Sequence, residues 1–215
     1  VAFSAVLTDP DTEGVQLWEN GPYWATCNVG ASKPEDYGYY FWWGDTIGYR
    51  PLAGYWESVR SSATISFSSS SSPANTTYGK NPSGYFDANG NLASSHDAAT
   101  AYLGPSWRMP TSAEIDALIA NCEATWETLN GVSGRRIKGK GDYKTKSIFL
   151  PATGYGWELA HYGSGSDGGG NYWSSTPGSD LNKARHLNVY STGSQQVDDS
   201  RCVGQSVRAV RVGAK

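Results

Sequence analysis

Apolar and polar positions alternate in short stretches along most of the chain, separated by glycines and polar turns. Val15-Gln16-Leu17-Trp18 alternates as a strand does, and the unbroken stretch Tyr39-Tyr40-Phe41-Trp42-Trp43 reads as a buried strand. Further on, Ile148-Phe149-Leu150 and Tyr172-Trp173-Ser174 predict two more short strands. Leu187-Asn188-Val189-Tyr190 alternates up to a turn at Thr192-Gly193-Ser194, Gln196-Val197-Asp198 returns antiparallel, and Ser206 to Val212 closes the chain as a last strand.

Helical spacing is clear in one place. Thr111 followed by Glu114 is a capping box, and Ile115, Leu118, Ile119 and Cys122 then recur on one face, predicting an amphipathic helix that ends near a buried Cys122. A weaker helix is predicted from Asp97 to Leu103, started by Ser95 or His96 and stopped by Gly104-Pro105. Strands at both ends with helices between them predict an α+β domain, with Val15 to Trp18 lying close to Val207 to Val212. Residues 61–93 break the texture. The serines 68–72, Pro73, Pro82 and the turn at Asn89-Gly90 predict a long surface loop, an excursion within one domain spanning 1–215.

Composition narrows the function classes. Only 17% of the 215 residues are charged and the formal net charge is −3, so there is no basic footprint for nucleic acid. Aromatic residues reach 13%, with 9 Trp and 14 Tyr beside 26 Gly, which describes a loop-rich fold built on large amphipathic rings. Three cysteines, Cys27, Cys122 and Cys202, exclude a complete set of disulfides within the chain. No apolar run reaches the length of a membrane span, so membrane insertion is not expected.

The motifs that resemble chemistry are weak. Gly163 to Gly168 matches G-x-G-x-x-G, but strand-like Asn171-Tyr172-Trp173 follows where a dinucleotide site needs a helix, so the segment reads as a flexible loop. Asp9-Pro10-Asp11-Thr12-Glu13-Gly14 begins like a calcium loop, yet Asn20 stands where a bidentate glutamate belongs. His96, His161 and His186 are scattered without helical pairing. No cofactor, metal or catalytic residue is assigned.

Five blocks carry a resemblance. They are Trp24 to Gly38 followed by Tyr40-Phe41 and Trp43-Gly44-Asp45; His96-Asp97-Ala98-Ala99 leading to Trp107-Arg108-Met109-Pro110-Thr111 and Glu114; Ile148 to Tyr155; Tyr172 to Thr176; and Gly204 to Arg211. In order and spacing the chain resembles the Fibrobacter succinogenes major paralogous domain family over residues 24 to 211, least so at 61–93. The resemblance implies a C-type-lectin-like fold with short antiparallel strands, about two helices and long loops, distantly related to formylglycine-generating enzymes. Trp107 would then be a core residue and Arg108 an internally paired one. Those enzymes use a close pair of cysteines near the C-terminus, whereas Cys202 has no neighbouring thiol in sequence. A non-enzymatic binding module is therefore expected, with an oxidase of that kind and a structural surface or pilus subunit as alternatives.

The same fold carries variable proteins of diversity-generating retroelements, whose C-terminal variable region precedes a constant segment. Asn171 to Val203, ending before Gly204-Gln205-Ser206-Val207-Arg208, resembles such a region. Mutagenesis of adenines in Asn codons reaches Ser, Asp, His, Tyr, Val, Gly, Cys and Thr but not Lys or Gln. His186, Asn188 and Tyr190, opposite Leu187 and Val189, are all reachable, whereas Lys183, Gln195 and Gln196 are not. The implied ligand-binding set is Asn171, Tyr172, Ser179, Asp180, Asn182, His186, Asn188, Tyr190, Asp198, Ser200, Cys202 and Val203. An undiversified lectin-fold surface protein is the other reading of the same residues. Either implies a protein or glycan receptor on a cell surface as partner, and an extracellular, cell-surface or virion-associated setting.

Overall fold

A computed structural model describes residues 14–72 and 78–211. The calcium-like segment from Asp9 to Glu13 and the end of the closing strand at Val212 lie outside the described residues. The first strands are β1 (Val15–Gln16), β2 (Tyr23–Trp24), β3 (Tyr40–Phe41), β4 (Tyr49–Leu52), β5 (Tyr55–Ser58) and β6 (Thr64–Ile65). Helices α1 (Ala98–Leu103) and α2 (Ser112–Asn121) follow, then β7 (Glu123–Leu129), β8 (Val132–Lys138) and β9 (Ser147–Pro151). The C-terminal part comprises β10 (Thr153–Trp157), β11 (Ala160–Ser164), β12 (Gly169–Pro177), β13 (Lys183–Tyr190), β14 (Gly193–Ser200), β15 (Gln205–Ser206) and β16 (Val210–Arg211). The chain is thus α+β and mostly sheet.

The strands form three sheets. One is β1-β2-β16, one is β7-β8-β9, and a ten-stranded sheet runs β11-β10-β12-β15-β3-β4-β5-β6, with β13 and β14 continuing from β12. The first and last described strands come together, but β2 stands between β1 and β16, its Trp24 paired to Val15 on one side and Val210 on the other. Arg208 fastens this junction from inside. It is 1% exposed, and its guanidinium donates to Asn28 Oδ1 (2.8 Å) and to the carbonyls of Ala25 (3.1 Å), Thr26 (3.0 Å) and Phe149 (2.9 Å). A buried cation is tolerated because its donors are met in this way.

Helix α2 forms as its sequence dictates. The Thr111 hydroxyl accepts from the Glu114 amide (3.2 Å), and Glu114 Oε2 accepts from the Thr111 amide (2.9 Å). Arg108 grips the same carboxylate in a two-pronged pair at 2.6 and 2.7 Å. Ile115, Leu118 and Cys122 are buried, while Ile119 at the rim of the apolar face stays 39% exposed. Trp107 packs in the core beside Val207 and Ala209. Helix α1 starts one or two residues later than Ser95 or His96 would place it. Asp97 is its cap, accepting from Thr100 N (2.9 Å) and Met109 N (2.8 Å), and Ser94–His96 form a 3-10 turn before it.

The closing strand expected over Ser206 to Val212 is two, β15 paired with β12 and β3 and β16 paired with β2, with 207–209 between them in no strand. Two further expectations need correction. Residues 61–93 are not only loop. β6 adds an edge to β5, and Phe67, fully buried, exchanges backbone hydrogen bonds with Glu158 (2.9 and 2.8 Å). The serine- and proline-rich composition masks one anchoring ring. The second is the β7–β8 hairpin, absent from the sequence-based expectations. Both its faces are part-exposed, so β7 lacks a clean apolar phase. Its turn signal is nonetheless present at Asn130-Gly131, where φ is 48° and 87°, the left-handed pair that a two-residue hairpin turn requires.

Candidate binding face

Strands β12, β13 and β14 form an antiparallel meander whose register sets what each face carries. Tyr172, Leu187 and Gln196 lie abreast, as do Trp173, His186 and Val197, and then Asn171, Asn188 and Gln195. Alternation sends Tyr172, Leu187 and Val189 toward α2, where they join Ile115 and Leu118 in one buried cluster. Gln196 locks this side, donating to Asp116 Oδ1 (2.6 Å) and Ser112 O (3.0 Å) on α2.

The opposite face is divided into two halves. Over the first, Trp173, Ala184 and His186 are covered. Trp173 and Ala184 pack with Trp43 and Val203, and the two indoles donate across the interface, Trp173 Nε1 to Phe41 O (2.9 Å) and Trp43 Nε1 to Ser174 O (2.7 Å). The Arg201 guanidinium lies 4.4 Å over the Trp43 ring and donates to Lys183 O (2.8 Å), closing the cover. His186, 4% exposed, meets Trp173 edge-on at 5.8 Å. Burial, helped by the Arg185 charge, pushes its pKa down to about 4, so the ring is neutral at neutral pH.

Over the second half the face is open. β10 runs parallel to β12 with Gly154 beside Gly170, and pairs with β11 so that Tyr155 faces Tyr162. A row Tyr162–Tyr155–Asn171–Asn188–Gln195 therefore crosses five strands on one side. The two tyrosine rings stack with centroids 5.8 Å apart. Asn188 Nδ2 donates to Asn171 Oδ1 (2.9 Å), and Asn171 Nδ2 to Gly154 O (3.2 Å), which continues the row as an amide ladder. Tyr162 is 45% exposed, Trp157 in the same phase of β10 is 36% exposed, and Tyr190 stands half-buried at the end of β13.

The structure redistributes the residues assigned from sequence. Asn188 and Tyr190 stand on the open half. Asn171 belongs to the row but is buried, with its amide used in holding Asn188 and Gly154. Tyr172 points the other way, 2% exposed, its hydroxyl on Pro151 O (2.5 Å). His186, Cys202 and Val203 are buried, so they present nothing to a macromolecule; Cys202 packs with Tyr40, Trp42 and Phe67, and the Ser200 hydroxyl sits 3.1 Å from its sulfur. Asp198 lies on the α2 side, paired with Arg185 (3.3 Å) and accepting from Ser179 N (2.8 Å). Ser179, Asp180 and Asn182 are exposed but lie in the β12–β13 turn, five residues of β13 from Asn188, about 17 Å at the usual strand rise.

Sequence reasoning missed Tyr155, Trp157, Tyr162 and Gln195. The alternation Tyr155-Gly156-Trp157 was a usable signal, and so was the glycine run. Gly163 to Gly168 is the tight connection from β11 into β12, where a Cβ on Gly168 would fall 1.8 Å from the Gly163 carbonyl oxygen.

Cys122 and Cys202 lie in separate buried clusters and neither forms a disulfide. Among the described residues, no three His, Cys, Asp or Glu side chains gather as a metal site, and no helix is long and apolar enough to cross a membrane. No family model, no curated protein and no solved structure matches the chain.

Proposed function

We propose that the chain is a non-enzymatic recognition module with a C-type-lectin-like fold, akin to the Fibrobacter succinogenes major paralogous domain, that binds a protein or glycan receptor on a cell surface. The binding surface is the open half of the β10–β14 face. The observation that carries this reading is the five-strand row, in which exposed Tyr162, stacked on part-buried Tyr155, adjoins an amide ladder on a sheet whose reverse side is packed against α2 and whose neighbouring half is covered. Rigid aromatic rings give contact area at low entropic cost, and amides give adaptable hydrogen bonds. An extracellular, cell-surface or virion-associated setting follows from such a partner.

The retroelement reading narrows on the same grounds. Of the residues reachable from Asn codons, Asn188, Tyr190, Ser179, Asp180 and Asn182 can vary without repacking, whereas His186, Cys202 and Val203 cannot. Separate locations for Cys122 and Cys202 give an oxidase of the formylglycine type no thiol pair from these two residues. For a structural subunit, the unpaired outer edge of β14 is a feature in favour, as is that of β7. The β14 edge carries Asp198 and Asp199, charges of the sort that discourage strand addition.

The test is to probe a microarray of bacterial and mucosal glycans, together with intact bacterial cells, with the wild type and a Tyr162→Ala/Tyr190→Ala double variant. Binding that the double variant loses by about ten-fold or more, with its melting temperature preserved, is the expected result. Binding that survives both substitutions would place recognition elsewhere on the molecule.

A further inference from the structure

On the reverse side of the meander a cavity of roughly 180 Å³ opens between α2, the β7–β8 hairpin and the β13–β14 pair. Six of its eight lining residues are apolar, among them Leu118 and Ile119 from α2, Ile137 from β8 and Leu187 from β13. Ile119, 39% exposed, stands at the mouth.

Two polar atoms interrupt this lining. Arg135 spends its terminal nitrogens on backbone carbonyls, Nη1 on Tyr190 (2.8 Å) and Nη2 on Ala124 (3.2 Å), while its Nε is buried without an acceptor. Ser194 Oγ is likewise buried without a partner. Both residues line the cavity. Each of these groups left unmet costs stability, which an acceptor entering the cavity would recover. The ion pairs among the described residues involve Arg50, Arg108, Arg136 and Arg185, so the Arg135 charge faces carbonyl dipoles and the cavity but no carboxylate.

We propose that this cavity binds a small carboxylic acid with an apolar body about the size of one ring. Size, apolar walls and charge each point to it. A cavity of about 150 Å³ with aliphatic and aromatic walls accepts benzene, so 180 Å³ holds one ring together with a carboxylate. The ring packs against Leu118, Ile137 and Leu187. One carboxylate oxygen accepts from Arg135 Nε–H and the other from the Ser194 hydroxyl, charge-assisted bonds to two buried atoms. The anion also supplies the countercharge that the guanidinium lacks. This site lies on the other side of the sheet from the proposed receptor face, so either can fail without the other.

Benzoate is the probe, benzyl alcohol its uncharged counterpart of similar size, and amide chemical shifts of the intact chain the readout. Benzoate should shift the amides of Leu118, Ala124, Arg135 and Ser194, and should bind about ten-fold or more tightly than benzyl alcohol. Arg135→Met should erase that preference, and Ser194→Ala should weaken benzoate several-fold. Should Arg135→Met fail to fold, Ala124→Leu, which fills the cavity from β7, should abolish benzoate binding. Equal binding of acid and alcohol, no binding of benzoate, shifts confined to the Tyr155–Tyr162 side, or benzoate binding undiminished in Ala124→Leu would each overturn the proposal.

Discussion

His186 and Asn188 are two residues apart on one strand and point to the same side of one sheet, yet one is sealed against Trp173 and the other borders solvent. The strand does not create this difference. Trp43, Arg201 and Val203, from the segment after β3 and the turn before β15, gather with Trp173 and Ala184 beside the first position. A face of a sheet is therefore not one environment, and side-chain alternation within a strand reports only which side a residue takes. What lies above it is decided by segments distant in sequence.

The sharpest break between the halves is expected at Trp173. Trp173→Ala should destabilise the fold by about 3–5 kcal/mol in urea denaturation, the usual cost of deleting a large buried ring. A loss below about 1 kcal/mol would mean that the cover contributes no packing. Leu187→Ala, on the α2 side, should cost about 2–5 kcal/mol. If Leu187→Ala proves neutral, the strand faces the other way.

His186 offers a test by pH. Its pKa falls from 6.5 to about 4 in the folded chain, so between those values the unfolded chain takes the proton and the folded one does not. Stability from this residue is present above pH 6.5 and is lost as pH falls toward 4. The stability of the wild type relative to His186→Gln should therefore drop by about 2 kcal/mol from pH 7 to pH 5. A difference that stays constant would place the ring in water, on the open half.

The smallest effects belong to the exposed row. Tyr162→Ala should change stability by no more than about 0.5 kcal/mol. Asn188→Ala should cost slightly more, about 1 kcal/mol, because it strips the donor from Asn171 Oδ1. A loss of 3 kcal/mol or more from Tyr162→Ala, flagged by its urea midpoint, would turn a display residue into a core one.

Much of the scaffold was legible in the sequence because its signals are local. The Thr111–Glu114 box, the Leu187/Val189 phase and the return of β14 all depend on residues within one element or its neighbour. The candidate site was half legible. Asn188 and Tyr190 follow from alternation, but Tyr155 and Tyr162 reach the same surface only because β10 runs parallel to β12, a pairing that no local pattern announces. His186, Cys202 and Val203 were misplaced for the converse reason. His186 is buried against Trp173, its partner on the neighbouring strand, while Val203 packs with Trp43 and Cys202 with Tyr40, Trp42 and Phe67, rings that reach them from across the chain.

The separation of scaffold from display is tested most directly by one thermal melt, that of a variant carrying Tyr162→Ser, Asn188→Ser, Tyr190→Ser and Gln195→Ser together. Three surface changes of about 0.5 kcal/mol each and one of about 1 kcal/mol at Asn188 should leave a single cooperative transition within about 10 °C of the wild type. A transition that broadens away or falls by about 15 °C or more, within the range expected for deletion of the Trp173 ring, would contradict the claim that the open half is carried by the fold without holding it together.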